Sequence, residues 1–186
     1  MAHRMVFAVT PPSDDSATAL ALSARDGDPA AVAAFVRATQ SEVWRLCAAL
    51  SDRDAADDLT QETFVRALKA LPSFAARSSV RTWLLGIARR TCADHVRALV
   101  RRRGLARRAV DHAVWVSPDA SEAVNIADLL GRLSLERRAA FVLTQVVGLT
   151  YAEAAVVENV PVGTIRSRVA RAREELLDAW RQAVTV

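Results

Sequence analysis

Six glycines and six prolines are all that 186 residues contain, about half the share of these two residues in ordinary soluble domains. A sheet protein needs turn residues at every hairpin, and this chain has too few of them. Helix formers fill the remainder. Aromatic residues make up only 5%, Ala, Leu, Arg and Glu are abundant, and the composition predicts an all-α protein. The length allows one ordinary domain or two small ones, which excludes a large multi-domain enzyme.

Apolar periodicity predicts helices over 15–26, 30–50, 54–71 and 79–100, with breaks at Asp26-Gly27-Asp28-Pro29 and from Leu71 to Ser79. These four helices make one domain over 13–100. A lead-in over 1–12 ends in Pro11-Pro12 and reads as disordered. From Arg101-Arg102-Arg103-Gly104 the periodicity falls away through Ser117-Pro118-Asp119, so 101–120 reads as a linker. A second helical domain is expected over 121–186, with its helices between about 122 and 180.

The net charge of +4 conceals a strong asymmetry: residues 1–63 carry −5, residues 64–108 carry +11 with Asp94 as the single acid, and residues 109–186 carry −2. A block this basic attracts phosphates, although a charge run is also the ordinary composition of a solvated face. Two cysteines, Cys47 and Cys92, supply neither a disulfide framework nor a metal site, and they suit a reducing cytoplasm. The longest charge-free stretch, Ala139 to Ala152, has 14 residues, too few to cross a membrane. The apolar run from Met5 to Val9 is too short for a signal peptide. A cytoplasmic protein without membrane insertion is expected.

Thr150-Tyr151-Ala152-Glu153 has the form of a capping box, so a helix starts at Tyr151. It can run only to about Val157, because Glu158-Asn159-Val160-Pro161 breaks it and Pro161 suits the first position of a new helix. In the second helix, expected over Pro161 to about Ala179, Ile165, Val169, Ala172 and Leu176 fall on one stripe. Thr164, Arg166, Ser167, Ala170 and Arg171 then occupy the opposite arc. Two arginines among small residues suit a major groove roughly 12 Å wide, where small neighbours let the backbone approach. An amphipathic packing helix with a basic exterior is the alternative. Short helix, tight turn and basic second helix together favour a DNA-reading helix-turn-helix.

On the helix over 79–100, Ile87, Leu84, Ala88, Leu99, Leu85 and Val96 share one arc, and Arg89, Gly86, Arg97 and Arg90 share the other, with Trp83 at its edge. An aromatic plane among guanidinium groups suits unstacked bases, yet Trp83 can equally cover a neighbouring helix. Cys92 and His95 fall within the apolar arc, where core packing is favoured over a metal pair or a nucleophile. On the third helix Leu59, Phe64, Leu68 and Leu71 face inward. Asp58 and Glu62 stand one turn apart with Gln61 beside them, but no glycine-rich phosphate loop accompanies them and Glu62 also forms an i, i+4 pair with Arg66. A protein-contact surface or a solvated face is preferred to an active site.

Three blocks, Asp57-Asp58-Leu59-Thr60-Gln61-Glu62-Thr63-Phe64, then Arg81-Thr82-Trp83-Leu84-Leu85-Gly86-Ile87-Ala88-Arg89 with Asp94 and Arg97, then Pro161-Val162-Gly163-Thr164-Ile165-Arg166-Ser167-Arg168 running on to Arg171-Ala172-Arg173, resemble the extracytoplasmic-function (ECF) group of bacterial sigma factors. The wording is most similar to an actinobacterial C-type subgroup. The resemblance implies two helical domains, no catalysis and no cofactor, with core RNA polymerase and promoter DNA as partners; it also admits an anti-sigma protein. It implies that Asp58, Gln61 and Glu62 dock on the polymerase, and that the loop from Pro72 to Ser79 receives a flipped promoter base. Trp83, Arg90 and Arg97 would face the melting element, while Thr164, Arg166, Ser167, Ala170 and Arg171 would meet the element further upstream. One departure stands out. Linkers of this family are often acidic, whereas Arg101, Arg102, Arg103, Arg107 and Arg108 make this one basic at its start, and an extension of the DNA-binding helix through these arginines is the alternative. A stand-alone helix-turn-helix regulator with a dimerising or ligand-sensing N-terminal domain is the alternative of a different class, and an enzyme built on Cys92 and His95 is a distant third.

Overall fold

The breaks in the sequence are where local hydrogen bonds close one helix and open the next. Gly27, at φ +90°, follows helix α1 (Asp14–Arg25), a left-handed backbone that costs glycine little. The Asp28 carboxylate then accepts from the Ala30 amide at 2.9 Å, and Pro29 takes the first position of α2 (Pro29–Leu50). Helix α3 (Ala56–Ala70) passes into a 3-10 turn at Leu71–Ser73. Ser79 accepts the Thr82 amide at 3.2 Å and so caps α4 (Val80–Ala109). The C-terminal part comprises α5 (Ile126–Arg132), α6 (Leu135–Phe141), a π-turn (Val142–Val146), α7 (Tyr151–Glu158) and α8 (Val162–Val184).

The computed structural model describes residues 14–51, 53–109 and 126–184. Among these there is no strand, and no helix is long and apolar enough to cross a membrane. The expected lead-in over 1–12 and the part of the expected linker from residue 110 onward lie outside the described residues. The linker's expected start is corrected: α4 continues through the arginine run to Ala109. Arginine is a good helix former and needs no apolar stripe to continue a helix already nucleated, so the fading periodicity does not mark the end of the helix. A smaller correction falls at Pro161, whose carbonyl accepts from the Thr164 amide at 2.9 Å while α8 starts one residue later. It caps the helix instead of opening it.

Helix α2 packs against α1, α3 and α4. Phe35, Val43, Leu46 and Leu50 on it are almost wholly buried, and the Phe35 ring meets Phe64 of α3 edge-on, with centroids 6.4 Å apart and planes at 81°. Leu59, Phe64 and Leu71 are buried as expected, and Leu68 packs against them. Four of the threonines that enter this core satisfy their hydroxyls within their own helices: Thr39, Thr60, Thr63 and Thr91 each donate to the carbonyl four residues back. In the C-terminal half α6, the π-turn, α7 and α8 close around Leu143, Ile165 and Val169. Helix α7 also lies on α4, so the two helical domains meet.

Candidate nucleic-acid interface

The helix-turn-helix is fixed at both ends of α7. Thr150 accepts the Glu153 amide at 3.2 Å, and the Glu153 carboxylate accepts the Thr150 amide at 2.7 Å, which completes the expected capping box. At the other end Asn159 stands at φ 53°, its amide donates to the Val156 carbonyl, and the Val160 amide reaches back to Ala155 at 3.1 Å. This is a Schellman closure with asparagine in the left-handed place that glycine more often takes. Replacing Thr150 by alanine is expected to lower stability by about 1 kcal/mol, measured by urea denaturation.

The stripe expected on α8 is the buried one: Ile165, Val169 and Ala172 are at 0–1% exposure, and Leu176 packs partly against the core. The opposite arc carries Arg166, Ser167, Ala170 and Arg171, all exposed, with Thr164 half-buried at its edge. Neither Arg166 nor Arg171 has an ion-pair or hydrogen-bond partner among the described residues. Arg173, a turn further on, is held by Gln145 at 2.7 Å, and Arg137 of α6 pairs with Glu175. Two uncommitted guanidinium groups therefore project from a helix whose other polar contacts fix its seat. That is the requirement for reading base edges or phosphates.

The basic arc of α4 is divided. Arg90 is exposed and without a partner among the described residues. Arg97 is exposed but bound to Asp94 at 2.6 Å, and Asp94 also holds Arg66 at 2.9 Å. Arg97 and Arg66 together keep the Asp94 carboxyl below the usual carboxylate range. Arg89 does not join the exposed arc. It donates two bonds to Glu158 of α7, its Nε at 2.5 Å, and Arg168 of α8 binds the same carboxylate at 3.3 Å. The Glu158 side chain is only 4% exposed and that of Arg89 12%. About two turns earlier on α4, Arg81 forks onto Glu42 of α2 and sends a second donor to the Val147 carbonyl at 2.7 Å. Both arginines thus bind α4 to the C-terminal half.

Trp83 is half-buried against the core, and its ring leans on Phe74 with centroids 4.9 Å apart and planes tilted by 45°. The packing role left open by the periodicity is therefore occupied on at least one face. The loop that carries Phe74 exposes Pro72, Ser73, Ala75, Ala76 and Arg77, and Ala76 stands at φ 50°, an uncommon conformation for a residue with a Cβ. On α3, Asp58, Gln61 and Glu62 share one exposed face, which continues to Val65 at 47% exposure. Glu62 pairs with Arg66 at 2.8 Å, so of the two carboxylates Asp58 is the one without an ion-pair partner among the described residues. Cys92 is wholly buried beside Cys47. The neighbouring Cys47 thiol and burial push the Cys92 thiol up, which makes it a poor nucleophile.

Residues 35–102 match the family model for sigma-70 region 2, and residues 123–176 match that for sigma-70 region 4. A helical domain with a basic helix, followed by a helix-turn-helix domain, is the build of a bacterial sigma factor. Over 172 residues the chain is 51% identical to the ECF RNA polymerase sigma factor SigC of Mycobacterium tuberculosis, covering 90% of this chain and 93% of that protein. It is 32% identical to the ECF RNA polymerase sigma-E factor of Haemophilus influenzae, covering 84% and 90%. Among solved structures it is similar to CnrH in complex with the cytosolic domain of CnrY, at a TM-score of 0.70 and 25% identity over 90% of this chain and 99% of that one. It also resembles the sigma factor RpoE in complex with the anti-sigma factor NepR from Bartonella quintana, at 0.60 and 27% over 81% and 94%. The chain belongs to the ECF RNA polymerase sigma factors. A stand-alone regulator is not favoured.

Proposed function

We propose that the two domains divide promoter recognition, with α8 reading the upstream element as duplex and α4 with the preceding loop engaging the strand that melts. The observation that carries this reading is the pair of unpaired arginines, Arg166 and Arg171, spaced by Ser167 and Ala170 on an exposed arc of α8. On α4, Arg90 supplies a phosphate contact, Trp83 offers the part of its ring that stays accessible, and Arg97 joins them on exchanging Asp94 for a phosphate. In this reading the domain over 13–100 docks and melts, the domain over 121–186 reads, and the protein itself catalyses no reaction. It acts in the cytoplasm with core RNA polymerase, through Asp58, Gln61 and Glu62 with Val65 beside them. The relatives solved with CnrY and with NepR support an anti-sigma protein as a further partner.

Competitive promoter binding by the reconstituted holoenzyme tests the reading. Replacing Arg166 or Arg171 by alanine is expected to cost about 1 to 3 kcal/mol at one base position and to relax preference there. Uniform loss across all sequences would mark a phosphate contact, and no loss from either variant would overturn the assignment. For the acidic face, reversing Asp58 and Glu62 to lysine is expected to weaken association with core polymerase, read by co-elution. Because both side chains are exposed, the melting temperature of the isolated protein should stay within a few degrees of the parent.

A further inference from the structure

Between the two halves lies a cavity of about 710 Å³, within the size range of small-molecule sites. Helices α2 and α4 form one wall, and α5, α6 and the π-turn form the other. Three large apolar side chains that the chain leaves exposed, Val100, Ile126 and Val146, border it, and Leu99 and Leu130 extend the apolar surface. Among the described residues the charged groups on its walls are predominantly cationic, with Arg45, Arg53 and Arg138 against the one carboxylate of Asp128.

Arg138 is the informative one. Its Nη2 donates to the carbonyls of Gly131 at 2.9 Å and Leu133 at 3.4 Å. Its Nε is buried with no acceptor, and no carboxylate among the described residues pairs with it. Burial pulls its pKa down, as for a cation withdrawn from water without a counter-charge. Across the cavity the Nε2 of His95 is likewise buried without a partner. A polar atom in that position is normally satisfied.

We propose that this cavity binds a small amphipathic carboxylate such as a medium-chain fatty acid, its head group on Arg138 and its chain along Leu99, Leu130 and Val146. The guanidinium offers its Nη1, which has no acceptor among the described residues, to the carboxylate, and His95 lines the opposite wall. Both halves of the chain line the cavity, so an occupant holds α5 and α6 against α2 and α4.

Calorimetric titration of the full-length protein with decanoate below its micellar concentration, with decanol as the uncharged control, tests this. Saturable binding of one decanoate is expected, stronger than that of decanol. Arg138→Met should weaken decanoate about tenfold through loss of a charge-assisted bond and leave decanol unchanged. Val146→Phe, which narrows the cavity without touching Arg138, should weaken both ligands and keeps the test decisive if Arg138→Met unfolds. Absence of saturable decanoate binding to the parent protein, equal affinity for decanoate and decanol, or parental decanoate affinity in both variants would each overturn the proposal. In those cases the groove is left to a protein partner.

Discussion

Replacing Glu158 by alanine is expected to release the helix-turn-helix from α4 while both halves stay folded. One carboxylate at 4% exposure neutralises Arg89 and Arg168, which lie on different domains. Removing it leaves two half-buried guanidinium groups facing each other with no anion, and truncating one partner of such a buried pair costs about 3–5 kcal/mol. The protein need not unfold to escape that cost. Separation of α7 from α4 lets both arginines hydrate, so the penalty is spent on the contact between domains. Small-angle scattering should report a larger radius of gyration for Glu158→Ala, and circular dichroism should report unchanged helix content. Glu158→Gln, which keeps an acceptor but loses the charge, should fall between. A Glu158→Ala protein as compact as the parent would show that apolar packing, not this carboxylate, holds the domains together. Release also returns Arg89 to the basic arc of α4, so the opened protein should bind single-stranded DNA more tightly at low salt.

The second large effect is expected at Phe35→Ala. The side chain is wholly buried between α2 and α3 and meets Phe64 edge-on. Deleting such a ring costs about 3–5 kcal/mol through lost burial and the cavity left behind, and the edge-to-face pair accounts for roughly 0.5–1.5 kcal/mol of that. Against a typical domain stability of about 5–15 kcal/mol, the N-terminal half becomes marginal. Chemical denaturation should show its transition at a much lower urea concentration. The acidic face of α3 rides on this contact, so under the proposed docking role association with core polymerase should weaken although Asp58, Gln61 and Glu62 are unchanged. Phe35→Leu, which keeps most of the volume, should recover much of both losses. Parental stability for Phe35→Ala would mean that the core collapses around the gap.

The helices and the buried stripe of α8 were legible because burial repeats at the helical period and Ile165, Val169 and Ala172 obey it. The exposed arc of α8 followed by subtraction. Arg89 could not be read this way. By period it shares an arc with Arg90 and Arg97, and its partner Glu158 stands 69 positions away in a tetrapeptide whose evident meaning was a helix break. Periodicity assigns a residue to one side of its own helix and is silent on which helix covers that side. Trp83 illustrates the same limit, since its tilt on Phe74 depends on the path of the intervening loop. The apolar period of α4 could be followed only to about residue 100, because a helix no longer pressed against a core loses its apolar rhythm but keeps its hydrogen bonds. Arg101 and Arg102, both exposed, satisfy the second condition without the first.

The π-turn at Val142–Val146 sets a length. There the Val147 amide reaches back five residues to Val142 at 2.9 Å, so the segment holds one residue more than an α-helical path would need. Removing any one residue between 142 and 146 would restore the ordinary ladder and turn the peptide planes at the end of the segment. The Val147 carbonyl, which Arg81 holds across the domain boundary, would then point elsewhere. Substitutions in this segment can be absorbed by repacking, but a deletion changes phase. A series of single-residue deletions and reinsertions through 142–146 would act as a vernier on the join between the two domains, with the wild-type length as the only setting that keeps that carbonyl on Arg81.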